Sequence, residues 1–239
     1  MCPRVWSECD ALLRDGGIVH LRLVTDDDEA ALRSLHEGLS PRSAYLRFFT
    51  AARVAATWYV DHLVRAPALD HGALAAVAGG RIVGVAGYER LDDPADAEVA
   101  LAVEDAQQGR GVGTLLLEHL AAYARGRGIR RFVADTLDEN DLMLRVLTDA
   151  GFPLQRHRDR WIIDISFPLR PEESLLAAQD SRESAADVSS LTALLRPASM
   201  VVVGASRRRR TVGHEVVRNM VAGGFGGRLA VVNPAETTC

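Results

Sequence analysis

Between an apolar run, Glu98 to Val103 (EVALAV), and a stretch of helical periodicity from Thr114, the chain reads Gln108-Gly109-Arg110-Gly111-Val112-Gly113. Glycines at alternate positions let the backbone take positive φ and come close to a ligand. A loop of this kind between a strand and a helix aims several backbone N–H groups, and the positive helix end, at one point. That arrangement suits a phosphate or pyrophosphate. Arg110 adds a guanidinium whose geometry fits phosphate oxygens. The same letters are compatible with a glycine-rich turn that binds nothing, and with a Rossmann nucleotide loop. The Rossmann reading expects the loop after a first strand, with an acidic residue about 20 residues later. Here the strand is at least the fourth, and no convincing acidic residue follows.

The surrounding pattern predicts an α/β chain. Ile18 to Val24 alternates as a strand after the Asp15-Gly16-Gly17 turn. Carboxylates at 26–28 suit the first turn of a helix through Ala30 to His36, and Ser40-Pro41 opens another through Phe49. Two strands joined at Gly79-Gly80 predict a hairpin. Glu98 to Val103 is apolar on both faces, so a central strand is expected. A helix from Thr114 to about Gly126, a strand from Arg131 to Asp135, a helix from Asn140 to Ala150 and a strand from Trp161 to Phe167 complete the first unit.

The formal net charge of -4 argues against a nucleic-acid binder, which needs a dominant positive field. Cys2, Cys9 and Cys239 lack zinc-site spacing, and with no secretory signal or apolar run of ~20 residues the chain is expected in the cytoplasm, away from membranes. The seven histidines show no metal-ligand spacing, so no metal is expected.

With these residues in place, the chain resembles the GNAT acetyltransferase superfamily, whose acetyl-CoA signature is Q/R-x-x-G-x-G/A. Gln108, Gly111 and Gly113 match it in register, and the resemblance runs from roughly residue 15 to 168, including Glu139-Asn140 and Ala150-Gly151-Phe152. It implies a GNAT fold, a mixed and mostly antiparallel central sheet flanked by helices, over residues 10–169. The stretch AEVALAVEDAQQGRGVG is similar, more narrowly, to bacterial protein lysine acetyltransferases of the Pat type. Those join a GNAT domain to part or all of an NDP-forming acyl-CoA synthetase module.

The resemblance places the pantetheine arm of acetyl-CoA along Leu101, Ala102 and Val103, where a strand N–H polarises the thioester carbonyl as a fixed dipole. It places the pyrophosphate on Gln108, Gly109, Arg110, Gly111, Val112, Gly113 and Thr114. A lysine amine near pKa 10.4 is unprotonated in roughly one molecule of a few thousand at neutral pH, so a base must take its proton. Glu98 matches the Pat-type general base; its other reading is a solvated strand-end glutamate. Asn140 is read as a cofactor contact or a helix cap. No tyrosine acid is assigned, because none lies between Asn140 and Ala150.

Residues 170–190, rich in Glu, Ser, Ala, Asp and Gln, are expected to form a linker with some helix. Residues 191–239 resemble the start of the CoA-binding domain of NDP-forming acyl-CoA synthetases, through Gly204-Ala205-Ser206, Gly213 and Asn233-Pro234. They supply one Rossmann-like βαβ unit, an incomplete domain with little expectation of binding CoA alone. Arg207 to Arg210 is read as a solvated loop. The expected activity is acetyl transfer to a protein lysine ε-amine, for example on an acyl-CoA synthetase. The alternatives are a small-molecule amine acetyltransferase and a non-catalytic acyl-CoA sensor.

Overall fold

Two glycines in the left-handed region, Gly79 (φ 56°) and Gly80 (φ 76°), close a tight, exposed turn between two strands. This computed structural model describes residues 6–49, 53–65, 70–170, 173–206 and 208–233; Cys2, Arg207, Pro234 and Cys239 lie outside the described residues. The glycine turn joins β3 (His71–Ala78) to β4 (Arg81–Arg90). Before them stand β1 (Cys9–Leu12) and β2 (Ile18–Leu23), and after them β5 (Asp96–Val103), so that β1 to β5 form an antiparallel meander. A crossover through α4 (Val112–Gly126) brings β6 (Arg131–Leu137) parallel to β5. Helix α5 (Asp141–Asp149) and the hairpin of β7 (Gln155–Asp159) and β8 (Ile162–Pro168) follow. The described residues thus make an eight-stranded sheet in the order β1-β2-β3-β4-β5-β6-β8-β7, antiparallel except between β5 and β6.

Apolar side chains on alternate strand positions feed two layers. Leu116, Leu117 and Leu120 of α4 pack on Leu21, Val83 and Phe132. On the other face α1 (Glu29–Glu37) and α3 (Arg53–Arg65) bring Leu32, Leu35, Val60 and Leu63 onto Ala73, Ala75 and Val85. Helix α2 (Pro41–Phe48) lies between α1 and α3 in the chain, and Ser40 Oγ caps it by accepting from the Ser43 N–H, 3.2 Å. Both layers approach β4 at glycines. A Cβ on Gly84 would lie 3.1 Å from Leu116 Cδ1, and one on Gly87 only 2.8 Å from Leu63 Cδ2.

The structure differs from the sequence expectation in several places. Helix α4 starts at Val112 rather than Thr114, so Val112 and Gly113 belong to its first turn. The chain also forms β1, α3 and β7, which the pattern did not predict. In the stretch 170–190, expected to carry some helix, the helix is longer than that: α6 (Glu173–Leu195) runs through it, because Ala, Leu, Glu, Gln and Arg favour helix even without a core-forming pattern. Arg182 of α6 pairs with the buried Glu118 of α4 and donates to the Asp149 carbonyl, while Ala186 is buried.

Backbone contacts divide the chain into two units, residues 1–187 and 188–239. In the second, β9 (Ser199–Val203), α7 (Val212–Ala222) and β10 (Arg228–Val232) form a βαβ unit with its two strands parallel. Gly204 takes φ 84°, and a Cβ on Gly213 would lie 2.5 Å from Ala205 Cα, so the helix start and the loop after β9 are in close contact. Val201, Val203 and Val232 are exposed, as befits strands that one helix does not cover on both faces.

Candidate active site

Strands β5 and β6 pair at only three positions, Asp96↔Arg131, Ala97↔Phe132 and Glu98↔Val133. Beyond Glu98, β5 keeps β4 as its neighbour and β6 keeps β8, so the two central strands part. A cleft of about 310 Å³ occupies the opening. From Val99 onward the β6-facing edge of β5 has no ladder partner, and every second residue of a strand presents its N–H and C=O to that side.

The cleft gathers nearly all the residues singled out from sequence. Glu98, Leu101, Ala102 and Val103 come from β5, and Asn140 from the start of α5. Gln108, Gly109, Gly111, Val112, Gly113 and Thr114 close the wide end. Gly109 (φ 76°) and Gly111 (φ 98°) use backbone conformations that L side chains rarely adopt. Gly111 is the N-cap of α4, with no side-chain cap and no acidic residue in the first turn. The first-turn N–H groups of α4 therefore keep their capacity for an anion. Gly113 lets α4 approach β5 and α5, since a Cβ there would meet Val146 Cγ2 at 3.1 Å and Leu101 Cδ1 at 3.6 Å.

Two sequence expectations, for Arg110 and Gln108, change in detail, and one of the two readings of Asn140, the helix cap, is present. Arg110 does not line the cleft: its guanidinium turns outward to Asp15 (Nε to Oδ2, 2.6 Å), whose carboxyl this hydrogen bond holds below the usual carboxylate range. The outward turn follows from a partner 95 residues away that the local motif does not reveal. Gln108 spends its amide N–H groups on Val103 O (3.1 Å) and Ser43 Oγ (3.3 Å), folding the loop back over the end of β5. Asn140 caps α5, its Oδ1 accepting from the Met143 N–H at 3.1 Å.

Other residues enter that sequence reasoning missed. Arg14 and Arg145 line the cleft; Arg14 ion-pairs with Asp149, and its side chain runs 3.5 Å from the position of a Gly111 Cβ. Asp105 accepts from Ser40 and Ser43, tying α2 to the loop. Burial raises its pKa, but these hydrogen bonds outweigh that and leave it lowered. Asp135, also in the cleft, shares the Glu98 face of the sheet, two residues beyond Val133. Burial, and then the neighbouring Asp164 carboxylate, push its pKa up.

At the narrow end Glu98 is exposed and stands opposite Glu89 of β4. Glu89 accepts from His62 Nε2 at 2.7 Å, and the His62 ring stacks on the exposed Trp58, 5.2 Å between centroids. Among the described residues no cluster of three metal-ligating side chains occurs, and no helix is long and apolar enough to cross a membrane.

The parted parallel strands, the meander before them and the glycine loop on α4 define an acetyltransferase fold of one class. Residues 40–152 match the model of the acetyltransferase (GNAT) family. The GNAT domain of S. lividans PAT is 38% identical, with 70% of this chain and 99% of that one covered and a TM-score of 0.63. The chain belongs to the GNAT family of acetyltransferases, with acetyl-CoA as co-substrate. The acetyltransferase PA5475 of Pseudomonas aeruginosa is 27% identical over 151 residues, 62% of this chain and 81% of that protein. The fold is shared with yncA of Salmonella typhimurium, solved with acetyl-CoA (19% identity, 64% of this chain and 95% of that one, TM-score 0.53).

Proposed function

We propose that this chain transfers acetyl from acetyl-CoA to a lysine ε-amine carried on a protein, with Glu98 as general base. The observation that carries the reading is the position of Glu98: exposed, and at the point where β5 and β6 part, at the opposite end of the cleft from the α4 N-terminus. Loop N–H groups at 109–113, with Arg14 and Arg145 beside them, hold the pyrophosphate. Backbone groups of Leu101 to Val103 hold the arm and polarise the thioester carbonyl. Asn140 contributes through the amide N–H groups that its capping role leaves over.

In the transfer, the amine nitrogen forms a bond to the thioester carbon and the C–S bond breaks. The nitrogen's proton passes to the Glu98 carboxylate, directly or through one water, and CoA departs as a thiolate that takes a proton from solvent. Negative charge developing on the carbonyl oxygen faces a strand N–H already in place. On the acceptor side, Glu98, Glu89 and the exposed Trp58 give an open rim rather than a closed small-molecule pocket, which supports an acceptor presented on a protein surface. The 38% identity with the GNAT domain of S. lividans PAT supports the same reading. An acyl-CoA synthetase is the proposed partner, because residues 191–239 resemble part of that enzyme class; the proposed setting is the cytoplasm.

The test is transfer of radiolabelled acetyl to an acyl-CoA synthetase and to a panel of small amines. Labelling of the synthetase on lysine, with the small amines poor acceptors, is expected. Efficient labelling of a small amine and none of the protein would replace this reading with the small-molecule one. Acetyl-CoA binding without any transfer would point to a sensor.

A further inference from the structure

Thr136 lies three residues beyond Val133, as Leu101 lies three beyond Glu98, so the two stand level across the opening between β5 and β6. Successive strand residues alternate faces, so both stand on the side of the sheet away from Glu98, roughly 10 Å along the strand from where the pairing ends. Thr136 is 1% exposed and lines the cleft, yet its Oγ1 has no hydrogen-bond partner in the protein. Of the other polar side chains that line the cleft, Asn140 Oδ1 is taken by the Met143 N–H, and Gln108 Nε2 by Val103 O and Ser43 Oγ. Nothing in the local fold asks for the hydroxyl. The neighbours on this face of β6, Phe132 and Ala134, are buried apolar residues, and valine has the same shape and an equal taste for strands. A buried hydroxyl without a partner destabilises the protein, so its natural explanation is a ligand that completes it.

We infer that the Thr136 hydroxyl hydrogen-bonds an amide of the pantetheine arm of acetyl-CoA, making Thr136 a side-chain contact to the donor in addition to the backbone edge of β5. The inference rests on the donor-site reading of the cleft. The arm must run from the pyrophosphate at the α4 N-terminus to the thioester near Glu98, and Thr136 lies between the two. A hydroxyl both donates and accepts, so it serves either the N–H or the C=O of an amide.

The experiment is calorimetric titration of the full chain and of Thr136→Val and Thr136→Ser with two ligands. One is CoA; the other is 3′-phosphoadenosine 5′-diphosphate, which has the pyrophosphate and no arm. Thr136→Val should raise the Kd for CoA about tenfold, leave that for the armless ligand unchanged, and melt several degrees higher without ligand because the orphan hydroxyl is gone. Thr136→Ser should bind CoA nearly as the natural chain does. CoA binding unchanged in Thr136→Val, or both ligands weakened equally, would overturn the assignment while leaving the donor site standing. Failure of the natural chain to bind CoA at all would remove both.

Discussion

His36 lies at the packing of α1, α2 and α3 with 5% of its surface exposed, against Phe48 and Tyr59. Burial, aided by the Arg47 charge and opposed by a hydrogen bond to Leu32 O, lowers its pKa from 6.5 to about 4. A folded pKa below the unfolded one means the neutral ring stabilises the protein above pH 6.5, and that this contribution is lost as pH falls towards 4. The shift corresponds to roughly 3 kcal/mol. His71 and His119 are also lowered, chiefly by burial, and add slopes of the same sign. Urea unfolding of the natural chain and of His36→Leu between pH 7 and 4 isolates the His36 share: the variant should show the shallower loss. Parallel curves would refute it. Residues of this kind were not legible in the sequence. His36 was one of seven scattered histidines, and only the tertiary packing separates it from the exposed His157. The place of Arg14 in the cleft was not legible for the same reason: the motif names Arg110, while the Asp15 contact pulls that side chain outward.

At the scale of elements, the loop and α4 were legible because their signal is local. Glycine spacing, strand alternation and helical period all fall within about thirty residues. The tight β3–β4 turn, β5 and α5 were readable on the same grounds. Strand β7 was not: Gln155 to Asp159 is exposed throughout and has no apolar alternation, so its pairing with β8 defines it. Nor does any local signal announce that β5 and β6 part after Glu98, the event that makes the cleft. Gly111→Ala places a side chain at φ 98°, at a cost of about 1–3 kcal/mol, and disturbs the α4 N-terminus. Acetyl-CoA affinity should fall tenfold or more in calorimetry while far-UV circular dichroism keeps its shape; unchanged affinity would contradict the anion role of this turn. Arg182→Ala in α6 leaves the Glu118 carboxylate buried without its cation, and should cost about 3 kcal/mol in denaturant unfolding. A variant as stable as the natural chain would show that α6 does not depend on this pair.

For the whole molecule, composition and the order of strands and helices established the α/β class, and the resemblance supplied the sheet type. Of the eleven residues singled out for acetyl-CoA, ten line the cleft, with Arg110 the exception. At the narrow end of the cleft the sequence singled out Glu98 alone. Trp58, His62 and Glu89 come together from α3 and β4, and no spacing along the chain signals that meeting. The second unit, residues 188–239, keeps its βαβ character with apolar strand residues exposed. The most direct test of the account is the single-turnover rate of acetyl transfer to a lysine-bearing protein acceptor by Glu98→Gln, with the acetyl-CoA Kd measured on the same sample. The rate should fall about 10²–10⁴-fold with the Kd unchanged. A rate equal to that of the natural chain would contradict the assignment of Glu98.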